Sequence, residues 1–187
     1  MSRNLNIAFL MDPLETLDLN GDTTFALALE AQRRKHNINF FRPEDLILKN
    51  NIVLANICKF ELFSSNSSYD FKYLKSLIKP LKEYDVVMMR QDPPFDMAYI
   101  TATHLLEKLP NSSLVINNPF EVRNSPEKIF VTNFSHLMPP TLITRNVNEI
   151  KDFRNKFKEI IIKPLYGNGG QGVFHLRPED ENLNSIL

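Results

Sequence analysis

The residues best suited to chemistry lie late in the chain, in Ile160-Ile161-Ile162-Lys163-Pro164-Leu165-Tyr166-Gly167-Asn168-Gly169-Gly170-Gln171-Gly172-Val173. The pattern delivers a lysine at the end of an apolar strand, then a glycine-rich turn, then a second strand. Glycines let successive backbone N–H groups face one point without Cβ obstruction, so such a turn can wrap phosphate oxygens while the ammonium offsets their charge. A hairpin turn of purely structural purpose is the alternative, although one or two glycines would serve it. The pattern is neither a Walker A loop, which needs Gly-Lys-Ser/Thr, nor a dinucleotide fingerprint, which needs a helix after the glycines.

A second group surrounds Met89-Arg90-Gln91-Asp92-Pro93-Pro94-Phe95-Asp96. Asp85 to Arg90 reads as a central strand, apolar until its last residue, and two prolines then force the chain out of the sheet. Arg90 and Asp92 therefore stand at the carboxyl edge of a parallel sheet, where such sheets hold ligands. Arg90 could clamp a carboxylate bidentately, with Asp92 accepting from an amine or holding Arg90 in place; equally, the pair could simply brace the Pro-Pro loop. Asp12-Pro13 ends an earlier strand and reads as a turn starter before it reads as a ligand. Lys128, in the first turn of a helix opened by Ser125-Pro126-Glu127, reads as a solvated lysine, mildly unfavourable there unless an anion is near. His36, His104, His136 and His175 lack metal spacing, and Cys58 reads as an inert thiol.

The elements that must position these residues follow from periodicity. Residues 5–11 are almost continuously apolar, as in a strand buried on both faces. Asp22 or Thr23 can cap a helix to about Lys35, and Ile38 to Phe41 gives a second strand, so the chain opens as βαβ with a parallel sheet. Leu46–Leu48 and Ile52–Leu62 read as an edge hairpin, Ser64–Ser68 as a polar loop, and Phe71–Leu81 as an amphipathic helix disturbed by Pro80. A helix capped by Asp96 runs to Leu109, and Leu114–Asn117 gives a strand. The Glu127 helix reaches about Phe134. Thr141–Thr144 is then a strand, Asn148–Phe157 a helix, and Ile160–Lys163 and Val173–Leu176 the strands that flank the glycines. The boundary between two domains falls within residues 118–126.

Composition bounds the function classes. The 187 residues carry 22 Lys+Arg against 22 Asp+Glu, so no general basic footprint for nucleic acid or anionic membrane exists. A single cysteine excludes an internal disulfide and a multi-cysteine zinc site, and fits a reducing compartment. The short apolar start is cut off by Asp12-Pro13, unlike a secretory leader, and no stretch is long enough to span a bilayer. A cytoplasmic protein is expected. Only 5 residues are Gly, and four of them fall between Gly167 and Gly172.

Ile162-Lys163-Pro164-Leu165 with Gly167-Asn168-Gly169-Gly170 resembles the lysine and small glycine loop of ATP-grasp ligases. Met11-Asp12-Pro13, Glu30-Ala31-Gln32-Arg33-Arg34, Met89 to Asp96, Asn117-Asn118-Pro119 and Glu127-Lys128 are similar, in the same order, to the bacterial glutathione synthetases. The resemblance covers nearly all of the chain, and Met-Arg-x-Asp-Pro-Pro-Phe-Asp is its specific part. It implies an α/β fold: a Rossmann-like, parallel-sheet pre-ATP-grasp domain over 1–124, then an incomplete ATP-grasp domain over 125–187. It further implies ATP-dependent joining of γ-glutamylcysteine to glycine through an acyl phosphate, with ATP and Mg²⁺ required and a homo-oligomer expected.

Residue by residue, the resemblance makes Lys163 catalytic. It assigns Lys128, Lys163, Tyr166, Gly167, Asn168, Gly169 and Gly170 to the nucleotide, and Arg90 and Asp92 to the dipeptide. Gln91 stands where some relatives carry a basic residue. Metal ligands are expected beyond residue 187, none within the chain, so the 187 residues are expected to be an N-terminal portion with little activity alone. A stand-alone, non-catalytic substrate-binding or subunit-interaction module is the alternative. Another ATP-grasp ligase, such as a D-alanine ligase or a glutamate-adding enzyme, would share the glycine loop but should lack the Pro-Pro motif.

Overall fold

The computed structural model describes residues 3–65, 68–167 and 169–187. The chain divides into two compact units, Met1–Asn124 and Ser125–Leu187.

In the first unit, β1 (Asn6–Leu10) leads through α1 (Thr23–Arg33) to β2 (Asn37–Phe41). Then come β3 (Leu46–Lys49), β4 (Ile52–Ser65), β5 (Ser68–Pro80), β6 (Val86–Met89), α2 (Met97–Leu106), β7 (Leu114–Ile116) and α3 (Pro119–Asn124). The sheet runs β3-β4-β2-β1-β6-β7, with β5 paired to β4. Pairing is parallel among β2, β1, β6 and β7, and antiparallel where β3, β4 and β5 join.

The continuous apolar run of β1 has a simple cause: side chains alternate across a strand, and both faces are covered. Ile7, Phe9 and Met11 belong to one buried cluster with Phe25, Ala28 and Ala31 of α1. Ala8 and Leu10 belong to another with Val87, Met89, and Ala102 and Leu106 of α2. Both helices start on the expected aspartates. Asp22 Oδ1 accepts from the Phe25 N–H at 2.8 Å, and Asp96 Oδ1 from the Tyr99 N–H at 2.9 Å. Each such cap contributes about 1 kcal/mol.

The expected helix over 71–81 is a strand. β5 pairs along β4 from Ser65↔Ser68 to Leu54↔Pro80, with Phe71 and Tyr73 turned onto the α1-side cluster. Pro80, read as a helix disturbance, closes the strand, where a missing N–H is tolerated. Of the expected polar loop, residues 66 and 67 lie outside the described residues, while Ser64, Ser65 and Ser68 have strand backbone. α2 ends at Leu106 rather than Leu109.

In the second unit, α4 (Glu127–Phe130) gives way to a 3-10 segment over Val131–Leu137. Pro126, not Ser125, holds its N-cap position, without a side-chain cap. Residues 141–144 form no strand. α5 (Val147–Phe157) is capped by Asn146, whose Oδ1 accepts from the Asn148 N–H at 2.9 Å. β8 (Ile160–Ile162) and β9 (Phe174–Leu176) are antiparallel, with Ile160 opposite Leu176, and α6 (Leu183–Ile186) follows. Ile160, Leu176 and Leu183 form the buried core, and Ile150, Phe153 and Phe157 of α5 pack against it. Arg154 ties the chain after β9 to α5 by donating to the carbonyls of Arg177 at 2.8 Å and Pro178 at 3.3 Å.

Candidate functional site

Each unit holds its own cluster. In the second, Lys163 leaves the end of β8 with an exposed side chain that has no hydrogen-bond or ion-pair partner among the described residues. The glycines after it carry the chain back into β9. Gly172 is fixed by two constraints: its φ is +68°, and a Cβ there would lie 2.8 Å from Pro164 Cγ. Pro164, beside the lysine, thus packs on a position only glycine can hold. Gly172→Ala is expected to cost the second unit about 1–2 kcal/mol from the left-handed backbone alone. Faster hydrogen exchange of the β8 and β9 amides would register the loss; unchanged protection would show that the turn relaxes freely.

Gly167 turns at φ +127°, and its carbonyl accepts from Lys128 Nζ at 2.7 Å. Lys128 also lies 3.4 Å from Glu127 Oε1, with 18% of its side chain exposed. The solvated-lysine reading of Lys128 is therefore corrected: the residue is half-buried and tied across 39 positions of sequence to the glycine loop. At Gly169 and Gly170 no atom lies within 4 Å of where a Cβ would stand, so the loop backbone is open on that side. Tyr166 is 59% exposed beside it. Asn168 lies outside the described residues.

In the first unit, Arg90 follows β6 and extends the ladder, its N–H donating to the Leu10 carbonyl at 2.7 Å. Its guanidinium reaches the start of α1: Nε donates to Thr24 Oγ1 at 3.1 Å and Nη2 to Thr23 Oγ1 at 2.7 Å. Among the described residues Arg90 forms no ion pair with Asp92, so Asp92 is not what holds it in place. Two hydroxyls orient the guanidinium without neutralising it, which leaves its charge available to an anion. Sequence reasoning missed Thr23 and Thr24. Their position just after the Asp22 cap, at the carboxyl edge of the sheet, was the available signal.

Asp12, at the end of β1, accepts the Asp92 N–H on Oδ2 at 2.8 Å. The Asp92 carboxyl is held above its ordinary range, first by partial loss of hydration and then by the nearby carboxylates of Asp12 and Asp22, with Arg90 opposing. Tyr99 of α2 is raised too, by burial first and then by Asp92, again against Arg90. Asp12, Asp22, Arg90, Asp92 and Tyr99 thus share one electrostatic neighbourhood at the strand ends. Gln91 is buried between Arg90 and Asp92, and its Oε1 has no protein partner among the described residues.

A carboxyl whose folded pKa is raised favours the fold while protonated, and that stability is lost as pH rises through the folded value. Asp92→Asn is therefore expected to raise the urea midpoint of the first unit at neutral pH, with the gain vanishing below the ordinary carboxylate range. A neutral-pH midpoint equal to or below the unaltered protein's would contradict this.

Among the described residues, no group of three or more His, Cys, Asp or Glu side chains could hold a metal ion. No helix among them is long and apolar enough to cross a membrane. In the first unit an arginine stands at a parallel-sheet edge, and in the second a lysine bound to the Gly167 carbonyl lies against the glycine loop that follows Lys163.

The family model of the prokaryotic glutathione synthetase N-terminal domain matches residues 5–123, and that of the prokaryotic glutathione synthetase ATP-grasp domain matches residues 127–187. A glutathione synthetase of Brucella melitensis biotype 1 is 50% identical over 183 residues, covering 98% of this chain and 58% of that protein. One from Mesorhizobium japonicum gives the same identity and coverage. A more distant one from Coxiella burnetii is 36% identical over 185 residues, covering 98% of this chain and 57% of that protein. The chain spans somewhat more than half the length of these relatives. Two family domains in sequence order, one holding Arg90 at its sheet edge and the other Lys163 beside its glycines, establish that the chain belongs to the prokaryotic glutathione synthetase family.

Proposed function

We propose that these residues form the dipeptide-binding and phosphate-binding parts of a whole protein that joins γ-glutamylcysteine to glycine at the expense of ATP. The hydrogen bond from Lys128 to the Gly167 carbonyl carries this reading, because it gathers a second cation to the glycine loop that follows Lys163. A carboxylate is a poor electrophile and oxide a poor leaving group, so the cysteinyl carboxylate of the dipeptide must first take the γ-phosphoryl group of ATP. The glycine amine then attacks the acyl carbon, the amide forms, and phosphate departs with the bridging oxygen.

Phosphoryl transfer of this kind needs positioning and cancellation of negative charge more than covalent help. Lys163 and Lys128 offset the phosphate charge. Gly167, Gly169 and Gly170 offer backbone N–H groups to the same oxygens, Tyr166 flanks the nucleotide, and Asn168 is assigned to the nucleotide by its place in the motif. Arg90 takes the α-carboxylate of the γ-glutamyl group and Asp92 its ammonium. Magnesium, when bound, would supply further cancellation of the phosphate charge, and we assign its ligands to the remainder of the whole protein. We place the reaction in the cytoplasm and expect a homo-oligomer.

The test uses residues 1–187 joined to the C-terminal portion of the Brucella melitensis relative. ADP release is expected only when γ-glutamylcysteine and glycine are both present. Release that ignores the dipeptide but responds to D-alanine or glutamate would overturn the assignment in favour of another ligase of the superfamily.

A further inference from the structure

We infer that Asp12 is a positioning residue whose carboxylate, by accepting the Asp92 N–H, fixes the strand exit that presents Arg90 and Asp92 together to an amino-acid head group. This rests on the reading of Arg90 and Asp92 as the dipeptide's binding pair. Asp12 and Asp92 are 80 residues apart in sequence, yet β1 and β6 are parallel neighbours in register, Leu10 opposite Met89. The Arg90 N–H already donates to the Leu10 carbonyl. Past that point the ladder has no backbone partner to offer, because Pro13 and Pro93-Pro94 turn both chains out of the sheet. The Asp12 side chain supplies the next rung. It therefore controls where Asp92 points, while the Thr23 and Thr24 hydroxyls control Arg90.

The bond also separates two roles that a carboxylate can play. An amide oxygen at position 12 would accept the same N–H but would carry no charge, so the positioning role survives Asp12→Asn and fails in Asp12→Ala. The charge has a separate effect: with Asp22 it works against ionisation of Asp92, while Arg90 favours it, and the Asp92 charge in turn raises Tyr99 of α2. Removing the charge eases ionisation of Asp92, so binding that needs its carboxylate should persist to lower pH in Asp12→Asn.

The first measurement needs no ligand: hydrogen exchange at the Asp92 amide in the 187-residue chain. Asp12→Ala should speed it about tenfold or more, the loss of one hydrogen bond to a charged acceptor, while Asp12→Asn stays close to the unaltered chain. The second is calorimetric titration with γ-glutamylcysteine. Asp12→Ala should weaken binding about tenfold, and Asp12→Asn less than about threefold with its acid limb moved to lower pH. Equal exchange and affinity in Asp12→Ala and the unaltered chain would overturn the inference. So would equal weakening by both substitutions, which would make Asp12 a direct ligand of the ammonium. Should the unaltered chain fail to bind the dipeptide, the reading of Arg90 and Asp92 falls, and the role inferred for Asp12 falls with it whatever the exchange data show.

Discussion

Lys163→Ala, in residues 1–187 joined to the remainder of a relative, is expected to lower kcat by about a hundredfold or more while leaving the KM for γ-glutamylcysteine nearly unchanged. The size follows from where charge develops. During transfer the γ-phosphoryl oxygens carry charge that a fixed cation stabilises more in the transition state than in bound ATP. Lys163 suits that task because it follows directly on β8 and its side chain is exposed and without a partner among the described residues. Lys128, by contrast, already donates to Gly167, so part of its role is to shape the loop. Lys163→Arg should recover only part of the rate, since a planar fork does not replace a compact ammonium. A kcat unchanged in Lys163→Ala, measured by ADP release at saturating substrates, would remove the residue from the reaction.

Arg90→Ala is expected to raise the KM for γ-glutamylcysteine by about tenfold to a hundredfold and to change the KM for ATP little. A charged pair of this kind contributes about 1.5–3 kcal/mol when its partner is an anion. The split between the two substrates is the informative quantity. A guanidinium that merely braced the Pro-Pro loop would disturb both substrates or stability alone. Arg90→Lys tests geometry: an ammonium keeps the charge but cannot present paired N–H groups to a carboxylate, so it should not restore dipeptide affinity. Equal rises in both KM values would favour the bracing role.

Much of this was legible in the sequence where a single physical cause writes a single pattern. β1 announces itself because burial on both faces demands a continuous apolar run, and α1 and α2 because Asp22 and Asp96 are strong caps. Gly172 was visible in the sequence only as one glycine among four; its left-handed backbone against Pro164 is seen in the structure alone. β5 misled for an equally physical reason. The register with β4 slips between Cys58 opposite Ser76 and Phe60 opposite Tyr73, so an extra residue breaks the alternation. Phe71, Leu74, Leu77, Ile78 and Leu81 then fall at spacings of three and four, which mimic a helix face.

The contacts that orient the site were hidden because they join residues far apart in sequence. Arg90 to Thr24, Asp92 to Asp12 and Lys128 to Gly167 span 66, 80 and 39 positions. Residue types suggested the chemistry of each group, but only the parallel pairing of β1 with β6 shows that Asp12 meets Asp92.

If phosphorylation activates the dipeptide's carboxylate before glycine attacks it, one carboxylate oxygen must leave with the phosphate. γ-Glutamylcysteine labelled with ¹⁸O in its cysteinyl carboxylate is turned over with ATP and glycine by residues 1–187 joined to the remainder of the Brucella melitensis relative, and the products are weighed by mass spectrometry. One labelled oxygen should appear in each inorganic phosphate released and the other in the new amide carbonyl. Glutathione formed with unlabelled phosphate would rule out the acyl phosphate.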